Sequence, residues 1–201
     1  MARKTGEVRQ AEIIAVTRDL IFNEGFSNFT VRTVANRIGI SEAAIYRHFK
    51  SKEDLLLGLL DSLFVPWREA IEGLLKENIP ARLKLRRLVE IHLHHLVIRQ
   101  LNPILFFSEA IRPENCHLFE KLNNSLGFLQ DTVAVIVKQG VAGCEFKPET
   151  DLSSAVACIV GLIQTTVIKW TLQRKTDGLV AHASSLMDSF IGLIELKGTQ
   201  K

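Results

Sequence analysis

The sequence predicts an all-α fold of about nine helices, a small basic bundle followed by a larger apolar one. Three observations carry that prediction. Apolar residues recur at spacings of three and four, the period of a helix with one buried face. Helix breakers are sparse, with 12 Gly and 5 Pro in 201 residues, and Pro66, Pro80, Pro103, Pro113 and Pro148 fall where helices start or break. Charge is unevenly placed: residues 1–52 hold nine Lys/Arg against five Asp/Glu, whereas the remainder holds sixteen against seventeen. With 47% hydrophobic and 23% charged residues the chain is globular in composition, and its positive charge belongs to the N-terminal quarter.

The elements follow from local signals. A first helix runs from Gly6 to about Asn23, with Ile13, Ile14, Val16, Leu20 and Ile21 inward, and Gly25 ends it because glycine tolerates positive φ. Thr30 caps a second helix that stops at Gly39, Ser41 caps a third, and Ser51 caps a fourth, with Asp54 completing an S-x-x-D box. Longer helices are expected at 51–78, 81–101, 103–112, 114–140, 149–174 and 178–196, with 141–150 the one clear loop. The helix over 149–174 is apolar almost all round, through Ala155, Ala157, Ile159, Val160, Gly161, Ile163, Val167 and Trp170. Such a helix is buried on more than one side, which in a chain of this size implies a partner subunit. Residues 152–168 carry no charge but include Ser153, Ser154, Gln164, Thr165 and Thr166 and are short for a span, so an interface helix is expected rather than a membrane helix.

Residues 30–52 carry the chemistry. Helices at 30–38 and 41–49 are separated by Gly39 and Ile40, and a tight joint between crossed helices needs a residue free to take positive φ, which Gly39 supplies. Ala35 permits close crossing, and Val34, Ile38, Ile40, Ile45 and Phe49 plug the inner corner. Glu42, Ala43, Tyr46 and Arg47 then face outward. This is the geometry by which a second helix enters a major groove with its first residues against base edges. Tyr46 and His48 can bond phosphate oxygens, Lys52 stands at a helix start where an anion is welcome, and Thr30 and Arg32 open the preceding helix.

The stretch FTVRTVANRIGISEAAIYRHFKSKEDLL, residues 29–56, resembles the DNA-binding domain of the TetR family of bacterial regulators, and the preceding IFNEGFSNFT is similar to that family's first-helix ending. The resemblance covers roughly residues 7–64. It implies a two-domain helical homodimer, usually a repressor: a helix-turn-helix domain over 1–50, a helix at 51–64 linking it onward, and an effector-binding and dimerisation domain over 51–201. By position it places Thr30, Arg32, Glu42, Ala43, Ala44, Tyr46, His48 and Lys52 against a palindromic double-stranded operator. Ala43 stands where many relatives have Gly, and Glu42 where a basic residue is common; Glu42 can accept from a cytosine amino group or repel phosphate. The resemblance also implies a four-helix dimer interface from the last two helices, for which Ala155, Ile159, Gly161, Ile163, Val167, Trp170, Leu186 and Phe190 are the candidates.

In the larger domain EIHLHHLVIRQ, residues 90–100, sets three His on an apolar helix, and NPILFFSEAIRP, residues 102–113, sets Phe106 and Phe107 on a short Pro-bounded one. His92, His95, Arg99, Phe106 and Phe107 are the candidates for the lining of a pocket that takes a small hydrophobic or amphipathic effector. A metal-responsive regulator using His92 and His95 is the alternative, as is a chromosome-organising DNA-binding protein of the same fold. No metal is expected, since a second ligand cluster is missing and Cys116–His117, the other candidate pair, begins a separate helix. No Gly-rich phosphate loop, nucleophile elbow or carboxylate pair points to an enzyme or a cofactor. Cys116, Cys144 and Cys158 form no CxxC, and MARKTGEVRQ lacks the apolar core of a signal peptide, so a cytoplasmic protein associated with the nucleoid is expected.

Overall fold

The computed structural model describes residues 6–98, 103–173 and 178–196. Among these residues there are nine α-helices and no β-strands: α1 (Gly6–Glu24), α2 (Val31–Ile38), α3 (Glu42–Tyr46), α4 (Lys52–Lys76), α5 (Ala81–Ile98), α6 (Pro103–Ala110), α7 (Cys116–Ala142), α8 (Leu152–Gln173) and α9 (Leu179–Ile194). Single 3-10 turns at Phe26–Asn28 and Pro113–Asn115 precede α2 and α7. The expected all-α fold is present, with helix ends close to those read from the sequence. The third helix is the exception: it is a five-residue element rather than 41–49, and His48 N–H and Phe49 N–H fold back onto the Ile45 carbonyl at 2.8 and 3.0 Å.

Two compact units divide the chain, one within Met1–Val65 and Gln100–Asn123, the other within Pro66–Arg99 and Asn124–Lys201. Both units share α4, in which Pro66 sits within a continuous helix instead of breaking it. Proline removes the N–H that would bond the Ser62 carbonyl. The first unit also takes in α6, which meets the end of α1 and the turn after it, and the start of α7, which meets α4. Phe106 of α6 is 2% exposed and meets the rings of Phe22 and Phe26 edge-on at 5.8 and 5.3 Å. Its partners are the end of α1 and the turn after it, so Phe106, expected as a pocket lining, packs in the core of the N-terminal unit.

In the second unit α9 lies against α5 and α8. A single carboxylate organises one end. Glu145 Oε1 accepts the Ala81 N–H at 2.8 Å and Oε2 the Arg82 N–H at 3.2 Å, satisfying two orphan donors at the start of α5. The same loop pairs with the chain after α9, since Lys147 N–H donates to Ile194 O at 2.8 Å and Leu196 N–H to Glu145 O at 3.0 Å. Asp151 caps α8 by accepting from Ser154 N–H at 2.6 Å, and this bond holds its carboxyl below the usual carboxylate range. Phe146, fully buried, closes over Gly140 of α7.

A Cβ built on Gly140 overlaps the Phe146 ring and lies 3.0 Å from the Ala81 side chain. Gly140→Ala should therefore destabilise the protein by about 1–3 kcal/mol through overpacking, despite the better helix propensity of alanine. Denaturant titration of the two proteins checks it, and equal midpoints would contradict it.

Candidate nucleic-acid interface

The segment 30–54 is built by three side-chain caps in succession. Thr30 Oγ1 accepts from Thr33 N–H at 3.0 Å, Ser41 Oγ from Ala44 N–H at 3.2 Å, and Ser51 Oγ from Asp54 N–H at 2.9 Å. Each cap satisfies one of the free donors at a helix start and fixes where that helix begins. The Asp54 carboxylate reaches back to Lys50 N–H at 2.7 Å, one residue before the position a reciprocal capping box would use. Gly39 closes α2 at φ 74°, ψ 37°, in the left-handed region. Its N–H donates to Asn36 O at 3.2 Å while Ile40 N–H donates to Ala35 O at 3.0 Å, the paired bonds of a Schellman ending.

Beneath the joint Val34, Ala35 and Ile45 are at most 1% exposed and Phe49 is 6% exposed, with Ile38 and Ile40 half-buried. Phe49 has a partner the sequence reading missed. Its ring lies where a Cβ on Gly58 of α4 would come within 2.8 Å, so the missing side chain seats the ring and with it the end of α3. With the apolar side inward, Thr30, Arg32, Glu42, Ala43, Tyr46 and Lys52 are exposed and Ala44 and His48 half-buried. All eight expected contact residues are thus open to solvent, in part or in full. Lys52 is further oriented by the Phe29 ring, its Nζ 4.9 Å from the centroid. Arg37, also exposed, is paired with Glu24 and so is directed back to α1.

The remaining expected site residues are distributed differently. Arg99 lies outside the described residues. His92 packs edge-on against Trp67 at 5.6 Å between ring centroids, and Trp67 in turn meets Phe128 at 5.5 Å, over which Arg68 stands at 4.1 Å. Burial, then the neighbouring His95, pushes the His92 imidazole down to about 4, and its enclosed Nδ1 has no hydrogen-bond partner among the described residues. His95 is half-buried and Phe107 exposed. On α8, Ala155, Ile159, Ile163 and Val167 are at most 3% exposed within the chain itself. Those four lie in the chain's own core rather than on an outer face. Gly161 and Leu186 are exposed, while Trp170 and Phe190 are half-buried.

Comparison with known proteins agrees with this geometry. The profile of bacterial regulatory proteins of the tetR family matches residues 13–59, and that of the YsiA-like protein C-terminal region matches residues 59–192. The fatty acid metabolism regulator protein of Bacillus subtilis is 27% identical over 186 residues, which is 92% of this chain and 95% of that one. The solved structure of the transcriptional regulator FadR from Bacillus subtilis in complex with stearoyl-CoA superposes with a TM-score of 0.75 at 26% identity, covering 92% of this chain and 99% of that one. The nucleoid occlusion factor SlmA of Vibrio cholerae is 28% identical over 59% of this chain and 64% of its own length.

Half-buried His92, with its enclosed Nδ1, has a consequence for stability. Its folded pKa is depressed from 6.5 to about 4, so the unfolded chain binds the proton more readily and protonation favours unfolding. This part of the stability should be complete above pH 6.5 and be lost progressively as pH falls toward 4. Melting temperatures across that window should decline less steeply in His92→Gln than in the unaltered protein; parallel curves would show that His92 is not the group responsible.

Proposed function

The chain belongs to the TetR family of bacterial regulatory proteins and is a transcriptional regulator with an N-terminal helix-turn-helix; from that premise we propose that it is a cytoplasmic repressor that binds a palindromic operator as a homodimer and is released by a long-chain acyl-CoA. The observation that carries the effector is the nearly full-length similarity to a fatty acid metabolism regulator, one of whose solved structures holds stearoyl-CoA. A bulky acyl chain fits the mainly apolar effector expected from the composition of the larger domain. The coenzyme supplies the amphipathic end. The chromosome-organising alternative has weaker support, since the nucleoid occlusion factor aligns with 59% of the chain against 92% for the metabolic regulator.

The mechanism rests on two surfaces. The first is the face of Thr30, Arg32, Glu42, Ala43, Ala44, Tyr46, His48 and Lys52, where side-chain donors fix the protein on phosphates and the start of α3 reads base edges. The second is the outer side of α8 and α9. By length and composition Leu152–Gln173 could cross a membrane, with a third of its apolar window buried. Opposite its packed side runs a stripe of Ser154, Cys158, Gly161, Thr165, Ile168 and Leu172, all exposed and none charged. On α9, Leu186 and Leu193 are 39% and 69% exposed, with Ser189 and Gly192 between them. A second copy presenting the same stripe is the occupant that fits, because small residues let helices approach closely and a two-fold contact is self-complementary. Gly161, with nothing within 4 Å of an added Cβ, lies on that stripe in place of the four buried residues expected there.

Three experiments test the proposal. Tyr46→Ala should weaken operator binding by about 1–3 kcal/mol in fluorescence anisotropy with a palindromic duplex, and undiminished affinity would remove Tyr46 from the interface. Stearoyl-CoA should lower operator affinity at least about tenfold, a coupling of about 1.4 kcal/mol, while free coenzyme A leaves it unchanged. An operator complex indifferent to acyl-CoA of every chain length would overturn the effector assignment. Gly161→Glu should yield folded monomers in sedimentation, since the added carboxylate has room in the single chain but no partner in an apolar contact; a dimer of unaltered stability would locate the interface elsewhere.

A further inference from the structure

The start of α7 meets the start of α4. His117 N–H donates to Glu53 Oε1 at 3.1 Å, which satisfies a free donor of α7 and fixes the carboxylate. Its second oxygen, Oε2, lies 3.1 Å from His117 Nδ1, and Cys116 Sγ lies 3.7 Å from the same nitrogen. One ligand atom from each of the three residues falls within 4.8 Å of the other two. Cys116 and His117 are exposed and Glu53 is half-buried, so the cluster opens to solvent on one side.

We propose that Glu53, Cys116 and His117 form a binding site for a zinc ion, with the fourth position taken by water. The donor set selects the metal. A thiolate excludes magnesium and calcium as preferred occupants, and thiolate, imidazole and carboxylate together suit zinc. The spacing suits it as well. Zinc holds such ligands at roughly 2.0–2.3 Å in a tetrahedron, whose edges are then roughly 3.3–3.8 Å. The sulfur–nitrogen separation of 3.7 Å is already such an edge, and the nitrogen–oxygen separation of 3.1 Å needs only a small opening. On binding, the Cys116 thiol releases its proton, the His117 imidazole ligates in its neutral form, and the metal replaces the Glu53–His117 contact with bonds to both. In sequence Cys116–His117 stands on a helix apart from His92 and His95; Glu53, more than sixty residues earlier in the chain, supplies a further ligand. Because Glu53 follows Lys52, an ion here would tie the beginning of α4 to α7 within the unit that carries the helix-turn-helix. The site does not depend on the acyl-CoA reading.

Chelator-treated full-length protein titrated with cobalt(II), a spectroscopic stand-in for zinc, tests the proposal. One ion per chain should bind, with the near-ultraviolet charge-transfer band of a cobalt–thiolate bond, and added zinc should displace it. Cys116→Ser should abolish the band, Glu53→Gln and His117→Ala should weaken binding at least about tenfold, and Cys144→Ser should leave it unchanged. Circular dichroism identifies any variant that fails to fold, and the other two then decide. Binding without the thiolate band, wild-type affinity in any folded variant of the three, or dependence on His92 instead would overturn the assignment.

Discussion

A helix of five residues cannot hold itself together. Nucleation costs more than its few internal hydrogen bonds return, so α3, the element that carries Glu42, Ala43, Ala44 and Tyr46, exists only because its surroundings impose it. Two groups of contacts do this. Ser41 and the Schellman ending of α2 fix where the chain enters α3, and Ile45 and Phe49 anchor its underside in the core of the first unit. Gly58 then admits the Phe49 ring against α4. This exposed face is therefore held by packing rather than by helix propensity, and a disturbance of that packing reaches the outward residues directly.

The same dependence explains why the first unit takes in residues distant in sequence. Phe106 fills the notch between Phe22 and Phe26, Glu53 caps α7 through His117, and Asp61 pairs with Lys121. The exposed ion pairs add little stability by themselves, since side-chain entropy and solvent screening offset most of their attraction. Their effect is positional. They join the α6–α7 corner to the helices that carry the nucleic-acid face, while α4 and α7 both continue into the second unit.

The larger unit separates its two apolar surfaces by the geometry of α8. Residues 155, 159, 163 and 167 repeat every four positions and are buried, whereas 154, 158, 161, 165, 168 and 172 turn the other way and are exposed. The first group is large and branched apart from Ala155, the second small or polar until Ile168 and Leu172. Burial of the first stabilises the subunit whatever its assembly. The second leaves each of two adjoining helices with an uncharged, partly apolar stripe, beside which Lys169 and Asp188 are exposed.

Sequence alone determined what depends on neighbours within a few positions. The helix ends follow from Thr30, Ser41, Ser51, Gly25 and Gly39, because caps and left-handed turns are local hydrogen-bonding problems with few residue solutions. The outward position of Tyr46 follows too, since the helical period turns it from the side on which Ile45 is buried. Tertiary structure decided which helices meet. That Phe106 serves the N-terminal core, that Glu53 faces Cys116 and His117, and that Ile159 and Ile163 are interior are facts about partners tens of residues away. A hydrophobic period says that a side is buried but not against what, and an all-round apolar helix such as α8 does not reveal which of its sides belongs to the chain's own core.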